Sequence, residues 1–214
     1  MLFRSTSATT GNQLTADLAR GLGVIESRSE SLNRFVQAYR QLAQLPSPVT
    51  KHVSLPPLLE RVARLETRLD VELLPPPSVN LLADADQLEQ LLINLLRNAV
   101  EAAMGDAEDT SVPSVRHEPK VILRSAVQGE FVSIIIEDNG PGLANPANLF
   151  VPFYTTKKTG TGVGLALARQ IAEGHGGTLE LRDRSDGPGC LAEVRIPLVS
   201  QITEQRQSVL ASRS

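Results

Sequence analysis

Several residue types are scarce in this chain, and each scarcity excludes a class of protein. Its 214 residues include a single cysteine, Cys190, which excludes an internal disulfide and a multi-cysteine metal site. Aromatic residues make up only 3% and tryptophan is absent, so Leu, Val, Ile and Ala must build the core. No apolar run approaches the roughly 18 residues of a membrane span. Residues 1–10 lack the apolar stretch of a secretory signal.

Charge and hydrophobicity narrow the class further. The net charge of -3 provides no basic surface, which argues against nucleic acid as the main partner. Hydrophobic residues make up 41%, enough to bury a core, so a disordered chain is excluded. The lone cysteine fits a reducing compartment. We therefore predict a cytoplasmic location, and whether the parent protein is anchored to a membrane stays open.

A heptad pattern predicts a long helix over residues 14–45 with one seam. Residues on the seam recur at alternating spacings of four and three: Leu18, Leu22, Ile25, Ser29, Leu32, Val36, Tyr39 and Ala43. A helix of this length cannot bury its seam alone. We predict a homodimer through this helix, or packing against a helix absent from the chain. The alternative is a helix that folds back on its own domain.

Prolines and polar stretches divide the rest of the chain. Pro46 and Pro48 end the long helix, and shorter elements follow. Three more helices are predicted, near 56–65, at 84–104 with Asp84 as N-cap, and from Gly164 to His175. Strands are predicted at 71–76, 80–84, 121–127, 131–138, 178–183 and 190–198. The predicted organisation is a disordered or tag-like N-terminus (1–13), a dimerisation-type helix (14–45), a linker (46–54), an α/β domain (55–198) and a flexible tail (199–214).

The helix at 84–104 carries a polar stripe beside its leucines. Asn94, Asn98 and Glu101 recur at spacings of four and three, so they share one helix face. Asparagine is a mediocre helix former. The stripe is therefore either exposed polar surface or the lining of a site, and we interpret Glu101 as a helix-face residue rather than a base.

Two glycine-rich turns favour the second interpretation. The sequence EDNGPG at 137–142 ends a strand, and GTGVGLA at 160–166 opens a helix. Glycine allows close approach of the backbone to a ligand, and a helix N-terminus binds anions. Asp138 adds one carboxylate, and the long connection at 143–162 has the length of a functional loop. Together with the two asparagines, these turns indicate a nucleotide pocket.

The order of four motifs resembles the histidine-kinase catalytic and ATP-binding domain, in the superfamily that also holds gyrase, Hsp90 and MutL. The motifs are NLLRNAVEA, EDNGPGL, LFVPFYTTK and GTGVGLALARQIAEGHGG. A single glycine-rich motif is weak evidence, but four in this order are specific. Their details resemble the nitrogen-regulation subclass of sensor kinases. The resemblance covers about residues 55–198 and implies an α+β fold, a two-layer α/β sandwich whose mixed, mostly antiparallel sheet has helices on one face.

The resemblance implies ATP and Mg²⁺ as ligands. Asp138 would accept a hydrogen bond from the adenine amino group, which selects adenine over guanine because a carboxylate only accepts. Asn98, with Asn94, would bind Mg²⁺ and phosphate. Lys157, with Lys158, would reach the outer phosphates from the connection at 143–162, which would act as a lid. Asn94 and Lys157 are the predicted catalytic residues. The other predicted nucleotide-binding residues are Ala102, Gly140, Gly142, Leu143, Gly160, Thr161, Gly162, Val163, Gly164, Leu165 and Thr178.

Asn94 also separates subfamilies. ATP-hydrolysing members carry a glutamate at this place to activate water, whereas an amide cannot act as a general base. The resemblance therefore implies transfer of the γ-phosphoryl group to an external nucleophile, in which the protein mainly positions groups and neutralises charge. A nucleotide-regulated binding or dimerisation module without transfer activity is the alternative.

The histidines depart from the family pattern. A complete histidine kinase carries a phosphoacceptor in a motif such as His-Glu-x-x-Asn-Pro. His52, His117 and His175 lack these surroundings, and we predict surface or capping roles for them. The acceptor helix is thus expected to be missing from this chain, which would bind ATP without phosphorylating itself. The resemblance also implies a response regulator receiver domain as a partner, with no membrane contact by this segment.

Overall fold

The computed structural model describes residues 6–105, 118–143, 145–155, 157 and 160–198. The chain divides into two compact units, Met1–Leu45 and Pro46–Ser214. In the first unit the described residues form one helix, α1 (Thr6–Ala43). Residues 6–13, predicted to be disordered or tag-like, are therefore helical, since nothing before Pro46 blocks a helix. No helix in the described part of the chain is both long and apolar enough to cross a membrane.

The second unit is built around one mixed sheet. Its helices are α2 (Leu55–Leu65), α3 (Ala85–Met104) and α4 (Gly164–Gly174), with a short 3₁₀ turn at Pro146–Asn148. Its strands are β1 (Lys51–Ser54), β2 (Val71–Leu73), β3 (Asn80–Ala83), β4 (Val121–Gln128), β5 (Phe131–Asp138), β6 (Thr178–Asp183) and β7 (Cys190–Pro197). Five strands lie in the order β2-β4-β5-β7-β6, and only the β2–β4 pair is parallel. This confirms the predicted fold class.

Strand β1 corrects part of the predicted linker. Lys51–Ser54 pairs antiparallel with β3 in a separate two-stranded sheet, so only the first half of residues 46–54 connects elements. Four residues with one central valine are too short for the alternation that marks a strand. The predicted tail at 199–214 and the loop around His117 lie outside the described residues.

Helix α3 presents the polar stripe because its other side is buried. As predicted, Asp84 caps it and accepts hydrogen bonds from the backbone N–H groups of Asp86 and Gln87. Each fully buried leucine contributes about 1.5–3 kcal/mol. This burial fixes the rotation of α3 and leaves Asn94 and Asn98 half-buried. The buried apolar residues are Leu88, Leu91, Leu92, Leu95, Leu96, Ala99 and Val100.

His175 joins the end of α4 to the start of α3. It is only 4% exposed, and its Nε2 accepts a hydrogen bond from the Asp84 N–H at 3.0 Å. Its Nδ1 lies 2.8 Å from the Ile171 carbonyl oxygen. A neutral imidazole has one donor and one acceptor, so these partners select the tautomer with the proton on Nδ1. His175 thus has a capping role but is buried, whereas His52 is exposed on β1.

Candidate nucleotide site

The polar stripe of α3 meets two of the predicted segments at one end. A Cβ placed on Gly164, the first residue of α4, would lie 3.8 Å from Asn94 Cγ. One turn further along α3, Asn98 Oδ1 accepts a hydrogen bond from Lys157 Nζ at 3.1 Å. The ammonium group shows that this amide oxygen accepts a cation, which is the property a Mg²⁺ ligand needs. Both asparagines therefore face the glycine-rich turn and the lid.

The other end of the stripe meets the EDNGPGL turn. Ala102 lies one turn beyond Asn98, about 12 Å along the helix from Asn94. A Cβ on Gly140 would come within 2.6 Å of the Ala102 carbonyl oxygen, so only glycine fits there. The predicted base-recognition turn and the predicted phosphate segments thus contact the same helix face, at opposite ends.

Asp138 is the last residue of β5 and lies at the predicted base end. The residue is 5% exposed. Its Oδ1 accepts hydrogen bonds from the backbone N–H groups of Gly140 at 2.9 Å and Cys190 at 3.2 Å. Burial raises the pKa of Asp138, and these two hydrogen bonds oppose the rise without cancelling it. Within the described residues no group donates to its Oδ2, which leaves that oxygen for a ligand.

Glycines shape the lid beside α4. Gly162 has a φ of +68°, and a Cβ there would lie 2.6 Å from the Phe153 carbonyl carbon. The Phe153 N–H donates to the Gly162 carbonyl oxygen at 2.9 Å, which ties the turn to the preceding connection. Val163, the N-cap of α4, makes no side-chain capping bond. The first N–H groups of α4 thus have no cap from that side chain, the arrangement that suits an anion.

Glu101 is a functional candidate that the sequence interpretation assigned to plain helix surface. Its carboxylate pairs with Lys157, with Arg97 at 2.8 Å and with Arg68 at 3.4 Å. Partial burial alone would raise the pKa of Glu101, but the hydrogen bonds from Lys157 and Arg97 outweigh it and lower the pKa to about 2. Asn98 and Glu101 together therefore hold the lid lysine against α3. The i,i+3 spacing of these two residues could have identified Glu101 as part of the site, since it puts the two side chains next to each other on the helix.

Thr178 requires a correction, because the structure does not bring it to the other predicted residues. It pairs with Arg195 of β7, which pairs with Ser133 of β5. Ser133 precedes Asp138 by five residues, or roughly 17 Å along the strand. The residue that lies beside Asp138 on β7 is Cys190, because β6 enters the sheet at the far edge and returns through β7.

The remaining predicted residues fall into two groups. Gly142 and Leu143 lie in the turn after Asp138, where Gly142 has a φ of +87° and the Leu143 N–H donates to Asp183 Oδ1 at 2.7 Å. The others line the lid and the start of α4: Gly160, Thr161, Val163 and Leu165. Lys158 lies outside the described residues. Sequence reasoning missed Asp183, which belongs to no motif.

Comparisons with known proteins identify the family and the fold. The family model described as "Histidine kinase-, DNA gyrase B-, and HSP90-like ATPase" matches residues 83–200. The C4-dicarboxylate transport sensor protein DctB of Rhizobium meliloti is 40% identical over 122 residues, which cover 56% of this chain and 18% of DctB. The nitrogen regulation protein NtrY of Azorhizobium caulinodans is 32% identical over 178 residues, which cover 79% of this chain and 22% of NtrY. The chain thus spans about a fifth of the length of these curated relatives.

A solved structure gives the same answer for the fold. The nucleotide-free catalytic domain of histidine kinase ThkA superposes with a TM-score of 0.56 at 26% identity, covering 69% of this chain and 95% of that domain. The family match extends over more than half of the chain, and the relatives include the predicted nitrogen-regulation subclass. The chain belongs to the family of histidine kinase-, DNA gyrase B- and HSP90-like ATPases, and it carries a catalytic domain of the histidine kinase type.

Proposed function

We propose that this chain is the catalytic part of a two-component sensor kinase, which binds Mg-ATP and transfers the γ-phosphoryl group to a histidine on a helix outside this chain. The observation that carries the proposal is the single face of α3. Asn94, Asn98 and Ala102 lie beside the start of α4, the lid lysine and the EDNGPGL turn in that order. A nucleotide laid along this face would place its phosphates at the asparagines and its base at Asp138.

Different residues would bind different parts of Mg-ATP. Asp138 Oδ2 would accept a hydrogen bond from the adenine amino group, while Oδ1 stays bonded to the backbone. Asn98 would hold Mg²⁺ through its amide oxygen. Mg²⁺, once bound, would neutralise charge on the transferring phosphoryl group. The Lys157 ammonium group would leave Glu101 and bind the outer phosphates instead, since both partners are anionic.

Asn94 supports phosphoryl transfer over hydrolysis. Its side chain lies at the first residue of α4, where the terminal phosphates would lie. An amide cannot remove a proton from water, so the position offers no general base. The attacking group must therefore be a nucleophile that needs no base to remove a proton first, as the neutral imidazole of an acceptor histidine is.

Partners follow from the same proposal. The seam of α1 would join two copies of the chain, and a response regulator receiver domain would take the phosphoryl group from the histidine. A nucleotide-regulated binding module is the alternative. Two observations favour it: the apolar seam of α1 is exposed, and the histidines of the chain, at 52, 117 and 175, all lie beyond that helix.

Two measurements test the proposal. Calorimetric titration with ADP and ATP, with and without Mg²⁺, should show binding, and Asn98→Ala should weaken Mg-ATP more than metal-free ATP. Incubation with γ-labelled ATP should leave the chain unlabelled but label an added acceptor-helix fragment. Binding without transfer to any acceptor would favour the binding module. Steady release of phosphate would support an ATPase instead, and absence of ATP binding would end the proposal.

A further inference from the structure

The hairpin between β6 and β7 also contacts the EDNGPGL turn. The Asp183 carboxylate, at the end of β6, accepts a hydrogen bond from the Leu143 N–H at 2.7 Å. The same oxygen lies too close to Gly142 for a side chain there unless the carboxylate shifts, since a Cβ would be 2.8 Å from Asp183 Oδ1. One carboxylate thus both bonds to the turn and packs on its glycine.

The start of β7, which pairs with the end of β6, holds Asp138 itself. The Cys190 N–H donates to Asp138 Oδ1, and a Cβ on Gly189 would overlap the Asp138 carbonyl oxygen. Arg184 N–H closes the hairpin by donating to the Gly189 carbonyl oxygen at 3.0 Å. The hairpin therefore contacts the base-recognition turn at Asp138 and again at residues 142–143.

The position of Asp183 does not suit a role in the core. The residue is exposed, and its strand β6 is the edge of the sheet, paired only with β7. Its partner Leu143 follows Gly142, which has a φ of +87°, and a glycine backbone has more accessible conformations than other residues unless a neighbour restricts it. A charge-assisted hydrogen bond to a backbone N–H supplies such a restriction.

We propose that Asp183 is a positioning residue for the base-recognition turn, and that it fixes the backbone of Gly142 and Leu143 relative to Asp138. This inference rests on the proposed function, because it assigns the adenine end of that same site. Asp183 acts through the turn and does not itself contact the nucleotide. It lies outside the four motifs, about 40 residues after the turn that it holds.

The test compares two substitutions at one position. Asp183→Ala removes the acceptor, whereas Asp183→Asn keeps an oxygen for the Leu143 N–H. We expect Asp183→Ala to weaken ADP binding about three- to tenfold, from the loss of one hydrogen bond to an ion, and Asp183→Asn to stay within about twofold of the parent chain. Glu180→Ala removes an exposed carboxylate from the same strand and should leave ADP binding unchanged.

Amide hydrogen exchange gives a second readout that needs no nucleotide. Exchange in the peptide covering residues 140–143 should accelerate in Asp183→Ala and remain at the parent rate in Asp183→Asn and Glu180→Ala. A double-mutant cycle adds a geometric check. Gly142→Ala creates a clash with the Asp183 carboxylate, so Gly142→Ala with Asp183→Ala should lose less binding than the two single losses combined.

The outcomes separate the two proposals. If the parent chain does not bind ADP, the proposed function fails, while exchange at residues 140–143 still decides the role of Asp183. If Asp183→Ala binds ADP and exchanges like the parent chain, the positioning role is overturned. If Asp183→Ala fails to fold, Asp183→Asn decides the question instead, and faster exchange at residues 140–143 in that variant would overturn the role. ADP binding and slow exchange at residues 140–143 in Asp183→Asn, like those of the parent chain, would support the acceptor role.

Discussion

The two carboxylate oxygens of Asp138 have different surroundings. Its Oδ1 is occupied by backbone N–H groups, and Oδ2 has no donor among the described residues. In Asp138→Asn the amide oxygen can keep the Oδ1 bonds, so the NH₂ group would take the place of Oδ2. We expect at least about tenfold weaker ADP binding and a preference for a base with a carbonyl at that position. Titration with ADP, IDP and GDP measures this, and an unchanged ADP affinity would show that Asp138 does not contact the base.

The same substitution should not destabilise the fold. Because burial raises the pKa of Asp138 above that of the unfolded chain, the ionised carboxylate is disfavoured in the native state. The stability contribution of this group is therefore present at low pH and is lost as pH rises through the folded pKa. At pH 7 Asp138→Asn removes a buried charge, so its melting temperature without nucleotide should equal or exceed that of the parent chain. A fall of several degrees would mean that the carboxylate charge supports the turn.

Cys190 is expected to be unreactive despite its place beside the site. Burial raises the pKa of its thiol to about 12, and the carboxylates of Asp138 and Asp183 add to the rise. We expect iodoacetamide at pH 8 to modify the folded chain far more slowly than the chain in denaturant. Mass spectrometry identifies the site without ambiguity, since the chain has one cysteine. Equal rates in both states would contradict the burial.

Motif residues and supporting residues differ in how far the sequence predicts them. Asp138, Gly140 and Gly142 stand next to one another, so a local pattern finds them. Asp183 and Cys190 reach the same turn only through the register of β6 and β7. No local pattern contains that register, which is also why Thr178 was assigned to the site although the sheet carries it to the opposite end.

At the scale of elements, the contact between α3 and the lid makes a prediction about pH. The pKa of Glu101 falls from its ordinary 4.5 to about 2 in the folded chain. A lowered pKa means that the carboxylate stabilises the fold above pH 4.5 and that this contribution is lost as pH falls toward 2. We expect Glu101→Gln to reduce the free energy of unfolding by on the order of 1 kcal/mol at pH 7, after allowance for solvent screening.

Denaturant unfolding between pH 7 and pH 3 measures that difference. It should shrink as pH falls below 4.5, because the Glu101 carboxylate of the unfolded chain is then protonated, whereas the folded chain keeps it ionised until the pH nears 2. Glu173→Gln is the matched control, since Glu173 pairs with Arg169 across one turn of α4 but contacts no lid residue among those described. A Glu101→Gln effect that is no larger than that of the control would show that the lid contact contributes little.

Local chemistry explains which elements were predictable. The cap of α3 and the burial pattern of its leucines place that helix within a residue of its predicted start, and the Gln-Gly-Glu turn at 128–130 places the β4–β5 hairpin. Strand β1 escaped prediction because its four residues gain order only by pairing with β3, which lies 26 residues further along the chain. The lid contact escaped for the same reason, since Lys157 and Glu101 are 56 residues apart.

At the scale of the whole molecule, α1 presents a regular row of exposed apolar residues. Its seam residues Leu22, Ile25, Leu32, Val36 and Tyr39 are 45–65% exposed. Isolated apolar residues are common on surfaces, but a regular heptad seam exposed along a helix marks a protein interface. Burying it in a symmetric helix pair would remove this surface from water, so the full chain should self-associate while residues 46–198 should not.

A charge-matched pair of variants tests this seam directly. Leu32→Glu with Val36→Glu places two carboxylates on the seam, whereas Asn33→Glu with Gln37→Glu places the same two charges on neighbouring exposed positions off it. In sedimentation velocity the parent chain and the second variant should form dimers, and the first should be monomeric because like charges would face each other at the interface. ADP affinity should be equal in all three, since every proposed nucleotide contact lies after Pro46. A parent chain that stays monomeric at high concentration would contradict the dimer, and would leave a missing partner helix as the cover for this seam.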